Sequence, residues 1–394
     1  MRKLKVVFLA YYPIKSLKER IEVINGIQEH PASWIVNLTN SIALHPSVEL
    51  HVVGESAAIR NDTEVSIGRV TFHLIKQPPS FNLSTLYIRN ARRLVRKIIS
   101  LDPDIVHAHG CEGSIGIAGV SCRRPCLLSM QGIQSEIEYA DKYWLGRSSL
   151  RVKLLAYIER YVVRKAKFIG VRTDFASAFV KRTNPKAKIY YTPEIINDVF
   201  FRVQPARDRS SILFVGTLSE RKGVAILIRA MRFLCKKVPE CQLNLVGIGS
   251  TEEVGRLNSL SRELGVDGHI CFKGSLNQNE IASEMENTAV FVLPSFMENS
   301  PNSLAEAMSA GLAVVATNVG GIPSMVENNA TGLLVPPGDE ELLSEAIVDL
   351  LVDESKRRRL GQAAKTKAIA THSSQVVVDQ IMKVYQDIMM EKAR

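Results

Sequence analysis

Short β-branched and aliphatic runs alternate with longer segments of helical period along almost all of the 394 residues, and this alternation limits the fold more than any other feature. It predicts parallel strands joined by crossover helices, a doubly wound α/β sheet. In the first half, strands are expected over 5–10, 48–53, 70–75, 105–108, 127–129, 168–171 and 189–191, with helices over 33–44, 85–100, 150–165 and 174–181. After a polar, turn-rich stretch at 203–210 the alternation restarts, with strands over 212–215, 242–246, 270–272, 290–293, 313–316 and 333–335. Helices are expected between them over 224–236, 252–264 and 303–310, and everything from 340 onward reads as helical. A restart marks a second sheet. The expected organisation is a domain over 1–204, a second over 205–374, and a C-terminal helix over 375–394 packing back toward the first. Two Rossmann-like domains of similar size would then face each other across a cleft.

Several classes are excluded. Polar residues interrupt every apolar run well before the ~18 residues of a membrane-spanning helix. The opening MRKLKVVFLAYYP imitates a leader, but its apolar part stops at Pro13 with no small-residue cleavage site behind it, so it reads as a first buried strand. The six cysteines show neither C-x-x-C spacing nor the density of a disulfide scaffold, and a reducing, cytoplasmic setting is expected. The net charge of +10 is uneven: residues 1–200 hold 29 Lys and Arg against 17 Asp and Glu, the remainder 21 against 23. A cationic first half suggests an anionic partner, and the basic helical segments at 89–99 and 147–168 suit the inner face of a membrane as a peripheral contact. Nucleic acid is not expected, because no aromatic platform accompanies the charge.

The most informative segment is PSFMENSPNSLAEAMSAGLAVVAT over 294–317. A strand ends at Pro294, a polar loop follows, and a helix starts near Pro301, so that helix amides and dipole at Asn302, Ser303 and Leu304 offer a phosphate site. Glu298 in the loop and Glu306 in the helix add two carboxylates; a carboxylate accepts two hydroxyls at once, as from a ribose or hexose diol. Phosphate and diol together describe a sugar nucleotide. A second segment, FVGTLSERKGVAILIRA over 214–230, repeats the pattern of strand, glycine, turn and helix. Gly216 permits the turn, Thr217 follows it, and Arg221 and Lys222 stand ahead of the helix with charge for a pyrophosphate. The run Val246-Gly247-Ile248-Gly249 reads as a plain strand-to-helix turn, since Glu252 replaces the third glycine of a dinucleotide fingerprint.

These two segments resemble the donor-site signature of glycosyltransferase family 4, a retaining family of GT-B fold. The family's E-x7-E element corresponds to Glu298 through Glu306, and its glycine, turn and Lys-Gly element to Gly216 through Gly223. The resemblance implies that Glu306 binds the nucleotide ribose, Glu298 the transferred sugar, and the amides near Asn302 and Ser303 the phosphate. Lys222, with Arg221, would neutralise the departing diphosphate, with no metal and no cofactor. The family often has Arg where this chain has Thr217, and paired glycines where the first domain offers only Gly26, the candidate phosphate or acceptor loop.

DPDIVHAHG over 102–110 places Asp102 and Asp104 ahead of a strand, at the wrong end of a sheet for a metal-bound donor phosphate. His109 falls at the strand's carboxyl end, and by resemblance contacts the donor hexose. The expected activity is transfer of a sugar from a nucleotide diphosphate sugar to a saccharide or lipid-linked acceptor in polysaccharide or glycoconjugate assembly. An epimerase of the same fold would change the sugar without an acceptor; a non-catalytic sugar-nucleotide-binding subunit would turn nothing over.

Overall fold

The computed structural model describes residues 2–24, 33–77, 85, 87–146, 149–205 and 210–393. The chain divides into two compact units: Met1–Glu138, Ser148–Ile195 and Ser374–Arg394 form the first, Tyr139–Arg147 and Ile196–Ser373 the second.

The first unit is built on eight strands: β1 (Leu4–Ala10), β2 (Val48–Ser56), β3 (Thr63–Ile67), β4 (Val70–Lys76), β5 (Ile105–His109), β6 (Cys126–Ser129), β7 (Phe168–Val171) and β8 (Lys188–Tyr191). Their order is β3-β4-β2-β1-β5-β6-β7-β8, parallel throughout except that β3 runs against β4. The run Val6–Ala10 is apolar without interruption because β1 is central and covered on both faces. Successive side chains point to opposite faces. Val6, Phe8 and Ala10 meet Ile35, Ile42 and the C-terminal helix Ser374–Ala393, while Val7 and Leu9 meet Leu94, Ile98, Ile115 and Val162.

The hairpin strand β3 was not expected. Its sequence, TEVSI, is half-exposed, and the only signal is Gly68, whose φ of +59° supplies the left-handed first position of a two-residue turn. The helix Gly113–Ser121 was also not expected, since glycine-rich GSIGIAGVS is a poor helix former. It forms because a Cβ on Gly119 would approach that of Ala108 to 2.9 Å: glycine lets the helix lie directly on β5. A second helix that the sequence reading lacks, Gln134–Leu145, has its first amides, Gln134 N–H and Ser135 N–H, donating at 2.9 Å to the fully buried carboxylate of Glu159.

The second unit holds a six-stranded parallel sheet of β9 (Ser211–Val215), β10 (Gln242–Val246), β11 (Ile270–Gly274), β12 (Val290–Leu293), β13 (Ala313–Thr317) and β14 (Leu333–Val335), in the order β11-β10-β9-β12-β13-β14. Its single core joins Ile212–Phe214 and Val290–Leu293 to Leu227, Met231 and Leu234 of the helix Val224–Lys237. The main stretch of the unit begins at Ile196, nine residues ahead of the expected boundary after 204, and the short segment Tyr139–Arg147 joins it from within the first half of the chain. The polar stretch at 203–210 misplaces it, because Ile196, Phe200 and Val203 are buried in this second core. The terminal helix begins at Ser374 and buries Val377, Ile381 and Tyr385 within the first unit.

Candidate active site

In each sheet the chain starts at an inner strand, grows to one side, then returns to the other. The direction reverses between β9 and β12 in the second unit and between β1 and β5 in the first. At such a switch point the loops beyond the carboxyl ends part and leave a crevice. The two donor segments of the sequence leave from the switch point of the second sheet: residues 216–223 follow β9, residues 294–301 follow β12, and β9 pairs directly with β12.

The loops are tied together. The Phe296 N–H donates to the Arg221 carbonyl at 2.8 Å. Gly223, at φ +69°, lies so close to the Pro294 carbonyl that a Cβ would stand 2.0 Å from its oxygen. This close approach brings Lys222 Nζ to 2.5 Å from Glu298 Oε1, with the two side chains 19% and 11% exposed. The Ser295 hydroxyl donates to the same carboxylate oxygen at 2.8 Å, and Thr317 holds the Ser295 carbonyl at 2.5 Å. From the far side, Gly321 N–H donates to the Glu298 carbonyl at 3.0 Å. Glu298 is therefore anchored by its backbone and its side chain, and it carries Lys222 with it.

Beyond Glu298 the helix Asn302–Ala310 begins after Pro301, with no side chain capping it. Leu304 and Ala305 donate to the Pro301 carbonyl, so the amides of Asn302 and Ser303 lie ahead of the helical ladder, where an anion is stabilised. Leu304 is fully buried and its N–H is already engaged with the Pro301 carbonyl, so of the three expected amides those of Asn302 and Ser303 face an anion. Glu306, one turn further, is 7% exposed and carries no hydrogen bond or ion pair with the described residues. Burial pushes its carboxyl up to about 7. A buried acid without a protein partner is poised for a ligand.

Gly216 and exposed Thr217 start the other loop, which is braced from a direction the sequence did not suggest. Gly216 N–H donates to Val246 O at 3.0 Å and Leu218 N–H to Ile248 O at 2.8 Å. A Cβ on Gly247 would stand 1.8 Å from the Gly216 oxygen, so the glycines of VGIG serve to let two loops touch. Arg221 and Lys222 sit in the short turn Glu220–Lys222 ahead of the helix.

In the first unit His109 ends β5 opposite Ala10 of β1, again at a switch point. It packs on His107, with ring centroids 3.9 Å apart, and on Phe8 and Trp34 at 4.8 and 5.7 Å. Its buried Nε2 has no hydrogen-bonding partner among the described residues, and burial, with His107 and Arg172 nearby, holds its pKa well below the usual histidine range. His109 is thus a neutral imidazole. His107 is fully engaged, with Nδ1 2.7 Å from Tyr385 Oη and Nε2 2.7 Å from Ser129 Oγ. The buried ion pair of Arg172 and Glu194 lies against the same small cavity as His109, and no spacing in the sequence marked it. Asp104 accepts the Lys5 N–H at 2.8 Å, and Asp102 pairs with Arg124. Gly26 lies outside the described residues.

The family model described as glycosyl transferases group 1 matches residues 196–367. Among curated proteins, the chain is 26% identical over 322 residues to an alpha-D-kanosaminyltransferase of Streptomyces kanamyceticus, covering 76% of this chain and 81% of that one. It is 28% identical over 212 residues to a GDP-mannose-dependent alpha-(1-6)-phosphatidylinositol monomannoside mannosyltransferase of Mycobacterium tuberculosis, covering 49% of this chain and 54% of that one, about half its length. Among solved structures, a sucrose-phosphate synthase from Thermosynechococcus elongatus superposes with a TM-score of 0.81 at 18% identity over 99% of this chain and all of that one. HepE from Anabaena, in complex with UDP and glucose, gives 0.72 at 17% identity over 98% of this chain and all of that one. The fold is GT-B, two Rossmann-like doubly wound domains. Residues 196–367, which carry both donor loops, match the model of the group 1 glycosyl transferases.

Proposed function

We propose that this glycosyltransferase moves a sugar, with retention of configuration, from a nucleotide diphosphate sugar to a saccharide or lipid-linked acceptor. The observation that carries this reading is the Lys222–Glu298 pair at the switch point, next to the uncapped start of the helix Asn302–Ala310. The ammonium and the first helical amides are placed to receive negative charge as it grows on a departing diphosphate, and each 1.36 kcal/mol of selective stabilisation is worth about tenfold in rate. Arg221 supplies a second cation. These fixed charges do the work that a divalent ion does elsewhere, so the reaction needs none.

In this scheme Glu306 receives the ribose hydroxyls, and Glu298, still holding Lys222, the hydroxyls of the transferred sugar. Gly216 and Thr217 line the diphosphate. His109, the candidate that the family resemblance singles out, acts as a neutral hydrogen-bonding group toward the sugar. Departure and attack take place on one face of the sugar, the leaving phosphate taking the acceptor's proton. The mannosyltransferase relative is named for a GDP-mannose donor and the HepE structure holds UDP and glucose; both support a nucleotide-sugar donor here.

A donor panel tests the reading directly, by saturation-transfer NMR and thermal shift on the wild type and Glu306→Ala. One nucleotide diphosphate sugar is expected to stabilise the wild type, and the variant to lose most of that response. Equal stabilisation of both proteins would overturn the assignment. Added Mg²⁺ or Mn²⁺ is expected to leave the transfer rate unchanged.

No helix of the described residues is long and apolar enough to cross a membrane. The helix Ile88–Leu101 carries Arg89, Arg92, Arg93, Arg96 and Lys97, of which Arg93 and Lys97 pair with Asp62 and Glu64. This surface is proposed to meet anionic headgroups on the cytoplasmic face.

A further inference from the structure

The amino edge of the second sheet, the end away from the donor loops, gathers three soft ligands from three separate elements. Cys235 lies in the last turn of the helix Val224–Lys237, Cys241 immediately precedes β10, and His269 immediately precedes β11. Parallel strands in register put the two strand starts side by side, since Leu243 pairs with Ile270. The crossover helix that began at the carboxyl edge ends where those strands begin. One ligand atom from each residue lies within 4.8 Å of the others, and the two sulfurs are 3.7 Å apart. That separation is the edge of a tetrahedron around an ion with metal–sulfur bonds of about 2.3 Å.

We propose that Cys235, Cys241 and His269 form a binding site for a zinc-class divalent cation. The histidine is prepared for the role: its Nδ1 lies 3.0 Å from the Cys241 carbonyl, which can only accept, so the proton sits on Nδ1 and the lone pair on Nε2. A backbone carbonyl that fixes the tautomer in this way is the usual outer partner of a metal-bound imidazole. Two thiols and an imidazole select a borderline or soft ion over magnesium or calcium, which prefer oxygen. Binding forms two metal–sulfur bonds and one metal–nitrogen bond, and the two thiols release two protons to solvent. Water completes the fourth position. The ion would join the end of the crossover helix to the starts of two strands; it takes no part in sugar transfer, so the proposal stands apart from the donor site.

The test uses the full chain, reduced, stripped with a chelator and desalted. Zinc chloride is titrated in against a chromophoric chelator, and cobalt(II) is added separately for its thiolate charge-transfer and tetrahedral ligand-field absorption. The wild type is expected to bind one equivalent, release two protons and protect two of its six thiols from alkylation. Cys235→Ser and His269→Gln, both at half-buried positions, are expected to lower zinc affinity by more than the roughly 10–100-fold that loss of an outer partner costs. Cys271→Ser, exposed and outside the cluster, should bind as the wild type does. Failure to bind an equivalent, wild-type affinity retained in both cluster variants, or a metal-free Cys235–Cys241 disulfide in the purified protein would each overturn the proposal.

Discussion

Lys222 Nζ lies 2.5 Å from Glu298 Oε1, across 76 residues of sequence, and the same carboxylate oxygen accepts from Ser295. The lysine is therefore held in place by the residue proposed to read the sugar, and the two act as one unit. Its ammonium is fixed before any diphosphate arrives, which is how an electrostatic contribution avoids reorganisation during the reaction.

Removing that cation should lower the rate far more than it disturbs the fold. For Lys222→Ala we expect kcat to fall by about 10²–10³, the usual cost of losing one preorganised charge-stabilising group. Steady-state kinetics with saturating donor check this, with circular dichroism as control. A fall below tenfold would remove Lys222 from the reaction.

Glu306 should make donor binding and stability depend on pH with opposite signs. Its folded pKa of about 7 stands above the ordinary 4.5, so between those values the native state binds the extra proton. The stability this contributes is complete below about pH 4.5 and is lost as pH rises through 7. Glu306→Gln is accordingly expected to gain stability over the wild type at pH 8, by a few kcal/mol at most, and little at pH 4.5, as read from urea unfolding at both values. Donor hydroxyls favour the ionised carboxylate, so wild-type donor affinity should rise with pH through 7 and that of Glu306→Gln should not.

His109 is neutral throughout the physiological range, because burial holds its pKa down. The rate profile between pH 6 and 8 should thus contain no ionisation that His109→Gln abolishes. The same variant is expected to lower turnover while leaving nucleotide diphosphate affinity unchanged, measured by calorimetry. Loss of nucleotide binding would argue for a structural role instead.

Gly223 permits the contact between the two donor loops. In Gly223→Ala the new methyl would stand 2.0 Å from the Pro294 oxygen at a positive φ, so the loops must separate. We expect a destabilisation of more than about 1 kcal/mol together with a KM for donor raised well beyond that of Thr217→Ala, whose side chain is exposed. Denaturation and initial-rate measurements decide it.

Sedimentation with anionic vesicles tests the basic face of the helix Ile88–Leu101. Binding should weaken steeply between low and physiological salt, because exposed charges are screened within about 8 Å at 0.15 M. Arg92→Glu with Arg96→Glu should abolish it. Binding indifferent to salt would exclude the electrostatic mode.

The sequence by itself determined the two-sheet α/β architecture, because parallel strands buried on both faces must be apolar throughout and their crossovers must carry a helical period. It also determined the chemistry available at the second sheet: Gly216, Lys222 and Glu298 lie between a strand and the helix that follows it, Glu306 lies in the first turns of such a helix, and short-range geometry sends such residues to the carboxyl edge. It missed whatever depended on partners distant in the chain. The glycine-rich helix Gly113–Ser121 opposes its own propensity and is decided by close packing on β5. The boundary at 195/196 is decided by which core takes Phe200, a choice that a polar linker does not reveal. Only the folded chain sets Glu306 in a dry environment, joins Lys222 to Glu298, and assembles Cys235, Cys241 and His269, whose spacing follows no local pattern. Burial and long-range contact are properties of the packed molecule, and they turn a correct list of residues into a site with definite charges.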